Sequence, residues 1–157
     1  QVYKNKQAEI GWTDITSVKP AADSGMSRII SGPWLNFHFD AFSVPPKAHL
    51  LGKTNLAPQV FCQGKAMGVQ FHPEINVEMY DTWIRYWNET EEGQRFLSTA
   101  GELPQRIRHS IAEREDINKD NCRQLLRLFM HEICSEQPNA TELTKITKAM
   151  NLEEYYD

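Results

Sequence analysis

Cysteine is scarce in this chain, and the three present, Cys62, Cys122 and Cys134, are odd in number and form no C-x-x-C spacing. That pattern excludes a disulfide framework and a structural zinc site, and it points to a reducing, cytoplasmic compartment. There is also no apolar run near the roughly 20 residues a membrane span requires, so no membrane association is expected. A basic excess is missing as well: 17 lysines and arginines face 21 aspartates and glutamates, for a formal net charge of −4. The electrostatic footprint of a nucleic-acid binder is therefore absent. Internal repeats, low-complexity tracts and flexible linkers are lacking too. Two N-x-Thr triplets begin at Asn88 and Asn139, but no secretory segment accompanies them, and they are read as chance matches.

What is present suffices for one sizeable core and little more: 157 residues, 40% of them hydrophobic, predict one domain with a tail. The first residue is Gln1, before which an initiator methionine is not ordinarily removed, so an N-terminus generated otherwise than by translation initiation is expected. From Gln1 to about Phe71, Gly and Pro recur often enough to predict short strands and loops rather than long helices. The segment PQVFCQGKAMGVQFH predicts a hairpin turning at Gln63-Gly64-Lys65, with Met67, Val69 and Phe71 facing the core and the second strand continuing to His72 and beyond. After Pro73 the period changes. Val77, Tyr80, Trp83, Ile84 and Trp87 mark one face of an amphipathic helix with a packing role. From Glu91 onward charged helical sequence takes over, with a break at 101–104. Ile107 and Ile111 predict one helix, Cys122 to Ile133 a second, and Thr141 to Met150 a third. Residues 1–90 and 91–157 are thus read as a domain portion and a helical extension packed on it.

Two polar clusters stand out. In an extended segment residues two apart share a side, so His72 and Glu74 can meet if the strand runs through Pro73. The carboxylate then accepts the Nδ1 proton and leaves Nε2 as a general base, two-thirds of a triad. The plain alternative is a surface His and Glu that close a strand. His38 and Asp40 lie among Trp34, Phe37, Phe39 and Phe42, where a half-buried strand with satisfied polar groups is the simplest reading. Taken together, the four polar residues can also be drawn as a metal site, a minor alternative.

Three ordered blocks, EIGWTDI at 9–15, FHFDAFSVPPKAHLLGKTNLAPQVFCQG at 37–64 and AMGVQFHPE at 66–74, resemble the second half of a class I glutamine amidotransferase domain, closest to the GMP-synthase-like glutaminases. The resemblance covers residues 1–90; the helical remainder carries no motif of that family. It implies an α/β, flavodoxin-like amidotransferase sandwich, present in part and followed by a helical C-terminal extension. It also implies hydrolysis of a glutamine side-chain amide through a thioester, with His72 as base and Glu74 as its orienting acid. Phe37, His38 and Phe39 would lie beside the amino-acid end of the substrate, glutamine or another γ-glutamyl amide. No cofactor or metal is implied, and a synthetase or other ammonia-acceptor domain is an expected partner.

One family element is missing. The nucleophile of these enzymes is a cysteine in a G-x-C-x-G-x-Q elbow between a strand and a helix, where amides favour the thiolate and the oxyanion. No such turn occurs in the chain. Cys62 is expected in a hairpin and Cys122 and Cys134 on a helix, and none is a suitable substitute. The expectation is that the elbow belongs to a preceding half, that these residues alone do not hydrolyse glutamine, and that alone they would expose a strand edge unless another half or a second copy, as in a homo-oligomer, covered it. The other function class is an amidotransferase-fold binding module that has lost its nucleophile.

Overall fold

Long extended runs of alternating residues build the first half. The computed structural model describes residues 1–18 and 25–133. Strand β1 (Val2–Asp14) pairs antiparallel with β3 (Pro33–Phe42), from Val2 opposite Phe42 to Asp14 opposite Pro33, with an irregularity between Lys4 and Glu9. A second, four-stranded sheet has the order β2 (Thr16–Ser17), β4 (His49–Lys53), β5 (Pro58–Gln63), β6 (Ala66–Val69), again with antiparallel pairs. Between β2 and β3 lies a short helix, α1 (Gly25–Ile30).

The β5–β6 hairpin turns on Gly64-Lys65 between the paired Gln63 and Ala66, and Gly64 has φ +57, the left-handed region that glycine adopts without a Cβ penalty. Its second strand is shorter than the sequence predicts. It stops at Val69, which is exposed, while Phe71, past the strand end, is buried against Trp34 with ring centroids 4.7 Å apart. The Gln70 N–H still donates to the Gln59 carbonyl of β5 at 2.8 Å, and His72 then bonds to β3 instead, which carries Phe71 onto the Trp34 indole.

Three α-helices follow among the described residues. In α2 (Val77–Glu89) the Asn76 side chain caps the N-terminus by accepting from the Met79 amide; in α3 (Glu91–Ala100) Thr90 does the same for Gly93. Helix α4 (Leu103–Leu128) starts with Pro104 in its first turn, where the missing N–H costs nothing, and passes into a π-helical turn at Phe129–Ile133. The two helices expected at Ile107–Ile111 and Cys122–Ile133 are therefore one continuous helix. No Gly or Pro lies between residues 105 and 133 to interrupt it. Cys134, Asn139 and the expected Thr141–Met150 helix lie outside the described residues. No described helix is long and apolar enough to cross a membrane.

Strand β3 divides the interior, because successive side chains point to opposite faces. Trp34 joins a core with Ile15, Ile30, Leu51, Val60, Phe71 and Leu125. Leu35 joins a second core with Ile75, Tyr80, Ile107 and Ile111. Helix α4 contributes to both, through Ile107 and Ile111 at its start and Leu125 near its end. Each such fully buried aliphatic or aromatic side chain contributes roughly 1.5–3 kcal/mol.

Candidate active site

Past β6 the chain crosses the end of β3, and the backbone N–H of His72 donates to the Leu35 carbonyl at 2.8 Å. Pro73 and Glu74 then form a turn, with the Ile75 N–H reaching back to the His72 carbonyl at 3.4 Å. The extended geometry expected for residues 72–74 is thus replaced by a turn, since Pro73 has no N–H to continue a ladder. The turn brings the two side chains together: His72 Nδ1 lies 2.9 Å from Glu74 Oε1. With the Nδ1 proton donated to the carboxylate, Nε2 is left as a lone-pair site, and no described residue occupies it. The side chains are 28% and 45% exposed, so a reacting group can reach the imidazole. Trp83 packs edge to face on the His72 ring, centroids 4.8 Å apart, adding a contact with the dyad to the packing role expected of this helix.

Helix α4 supports the turn from the other side. Asn118 Nδ2 donates to the carbonyls of Pro73 at 2.9 Å and Ile75 at 3.1 Å, and Glu115 accepts from the Val77 N–H at 3.1 Å.

The second cluster is a buried network. His38 is 8% exposed; its Nδ1 lies 2.9 Å from the Asp40 carbonyl, and its Nε2 is 3.2 Å from Asn36 Oδ1 and 3.5 Å from Glu9 Oε2. The Gln59 amide donates to the same Glu9 oxygen at 3.0 Å, linking the two sheets. Burial lowers the His38 pKa, against the pull of the Glu9 carboxylate. The Asp40 side chain does not join His38; it lies 3.7 Å from the exposed Lys4 ammonium. Phe37, His38 and Phe39 alternate along β3, so the histidine faces away from the two rings. Phe37 stacks on Trp87 and meets Phe96, while Phe39 is 41% exposed. What the three residues can present together is their backbone.

No three His, Cys, Asp or Glu side chains gather as metal ligands among the described residues. Burial pushes the thiols of Cys62 and Cys122 up, and for Cys122 the Glu74 carboxylate pushes the same way, the opposite of what an activated nucleophile needs. A depression of about 400 Å³ between α1 and α4, lined by Arg28, Gln124 and Arg127, includes none of these residues.

Polar residues around the clusters that carry no role in the sequence reading include Glu9, Gln59, Glu115 and Asn118. The first two stand inside the EIGW and PQVF blocks. The last two are ordinary polar positions of a charged helix, and nothing in their spacing sets them apart.

No family profile and no curated protein matches the chain. Solved structures do. A glutamine amidotransferase from Thermotoga maritima superposes with a TM-score of 0.66 at 24% identity, covering 82% of this chain and 54% of that one. A glutamine amidotransferase from Methylobacillus flagellatus gives 0.64 at 16% identity, covering 88% and 58%. The chain thus spans a little over half the length of either structure. Coverage of this chain exceeds what residues 1–90 alone make up, so the likeness runs into the helices for which the sequence offers no motif. At these identities the likeness is one of fold, and the chain has the α/β fold of the class I glutamine amidotransferases.

Proposed function

We propose that this chain is the part of a glutamine amidotransferase that carries the base and the acid of a Cys-His-Glu triad, with the cysteine supplied from outside these 157 residues. The observation that carries the reading is the 2.9 Å contact of His72 Nδ1 with Glu74, with no described hydrogen-bond partner on Nε2, on a fold shared with amidotransferases. In this mechanism His72 Nε2 takes the thiol proton as the sulfur attacks the side-chain amide carbon. Glu74 stabilises the imidazolium so formed and holds its tautomer. The same proton passes to the departing ammonia, leaving a thioester, and His72 then deprotonates the water that releases glutamate. The β3 backbone at Phe37, His38 and Phe39 holds the amino-acid end of glutamine or a related γ-glutamyl amide. The ammonia passes to a synthetase or other acceptor domain.

The second reading is a binding module of the same fold without a nucleophile; the raised thiols of Cys62 and Cys122 make neither a substitute for one under either reading. The residue at the elbow position of the full-length protein separates the two: cysteine fits the enzyme, and serine, glycine or alanine the binding module. In the full-length protein, release of ammonia from glutamine should fall by a factor on the order of thousands in His72→Ala, as for a triad that acts as a unit. Unchanged turnover in that variant removes His72 from the mechanism.

A further inference from the structure

We infer that Asn118 is a positioning residue for the His72–Glu74 pair, acting through the carbonyls of the two residues that flank Glu74, Pro73 and Ile75; its consequence for catalysis rests on the function proposed above. The Glu74 side chain is half exposed and hydrogen-bonds to no described group besides His72, so apart from that one contact its direction follows from its backbone. That backbone belongs to a turn with one long internal hydrogen bond, 3.4 Å from Ile75 to His72, too weak to fix it. Asn118 supplies what is missing. It is 3% exposed and spends both protons of one amide on the carbonyls just before and just after Glu74. Glu115, one turn earlier on α4, fixes the Val77 amide, so the loop is held at residues 73, 75 and 77 by one helix face. His72 is held by β3 and Glu74 by α4, and the gap between their side chains is set by the spacing of strand and helix.

The chemistry of the position is selective. A carboxylamide donates two hydrogen bonds from one nitrogen without charge; an aspartate of the same shape would face two carbonyl oxygens with no proton to offer, and a leucine would leave both unsatisfied. Asn118 Oδ1 is buried without a partner among the described residues. The donors, not the acceptor, are therefore what the site uses.

The test is the tautomer of neutral His72 in the full-length protein, read from its ring nitrogen shifts after ¹⁵N-histidine labelling, with kcat and KM measured in parallel. In the parent the ring should carry its proton on Nδ1. In Asn118→Ala the ratio of the Nδ1–H to the Nε2–H form should fall by roughly fivefold or more, the equivalent of one hydrogen bond. The value of kcat should drop by up to about 100-fold, with KM little changed. Leu125→Ala weakens the same helix without touching the loop and should leave the tautomer as it is. An unchanged tautomer in Asn118→Ala, or an equal shift in Leu125→Ala, overturns the inference. If the alanine variant does not fold, Asn118→Ser, which keeps one donor, is read in its place; if neither folds, Asn118 is a folding residue and the inference fails. Full activity in His72→Ala would remove the catalytic reading, while the tautomer comparison would still decide whether Asn118 orients the pair.

Discussion

His38 shows how opposing local effects are weighed. Both ring nitrogens face oxygens, those of Asp40 on one side and of Asn36 and Glu9 on the other, an arrangement that an imidazolium would satisfy. Burial disfavours that charge and outweighs the Glu9 carboxylate, with the neighbouring His72 adding to the lowering and Asp40 opposing it. A histidine whose pKa is lower folded than unfolded binds fewer protons in the native state, so stability rises with pH across that interval. The contribution is complete above the ordinary value of 6.5 and is lost as pH falls from there through the folded value. Urea midpoints should therefore decline as pH is lowered from 7 toward 5, and His38→Gln should flatten the decline. A midpoint that climbs toward acid would identify the charged His38–Glu9 pair as the native form.

Element by element, local signals were legible and distant ones were not. The turn at Gly64-Lys65 and the 3.6-residue period from Val77 to Trp87 are written in adjacent residues, and the turn and the helix formed where those patterns put them, although β6 ends at Val69. The order of the EIGW, HFD and FHPE blocks pointed to the fold. The turn that joins His72 to Glu74 depends instead on where β6 stops, and the network around His38 joins Gln59 to Glu9 across 50 residues. Periodicity does not reach that far. The apolar stripe of α4 fades between Ile111 and Cys122, which suggests two helices, but no Gly or Pro there breaks the helix and it runs on unbroken. The crossing of α2 and α3 depends on Gly93, where a Cβ would overlap the backbone of Trp87. In an open helix Gly→Ala stabilises by about 0.5–1 kcal/mol. Here Gly93→Ala should destabilise by roughly 1–3 kcal/mol, the cost of overpacking. Chemical denaturation decides by the sign alone.

Across the whole molecule, α4 is the common member. It enters the core beside Leu35 through Ile107 and Ile111 and the core beside Trp34 through Leu125, and between these points it carries Glu115 and Asn118. The contacts of Asn118 with Pro73 and Ile75 span 45 and 43 residues. In kinetic terms, that separation dates the site. Contacts that close long loops are entropically expensive and come after local ones, so the turn at residues 73–75 cannot settle before α4 has docked. Asn118→Ala should accelerate unfolding and leave the refolding rate nearly unchanged, a φ value near zero; a value near one would place α4 docking in the nucleus. A polypeptide caught before that step has His72 and Glu74 as neighbours in sequence whose side chains meet only in passing, not as a held pair.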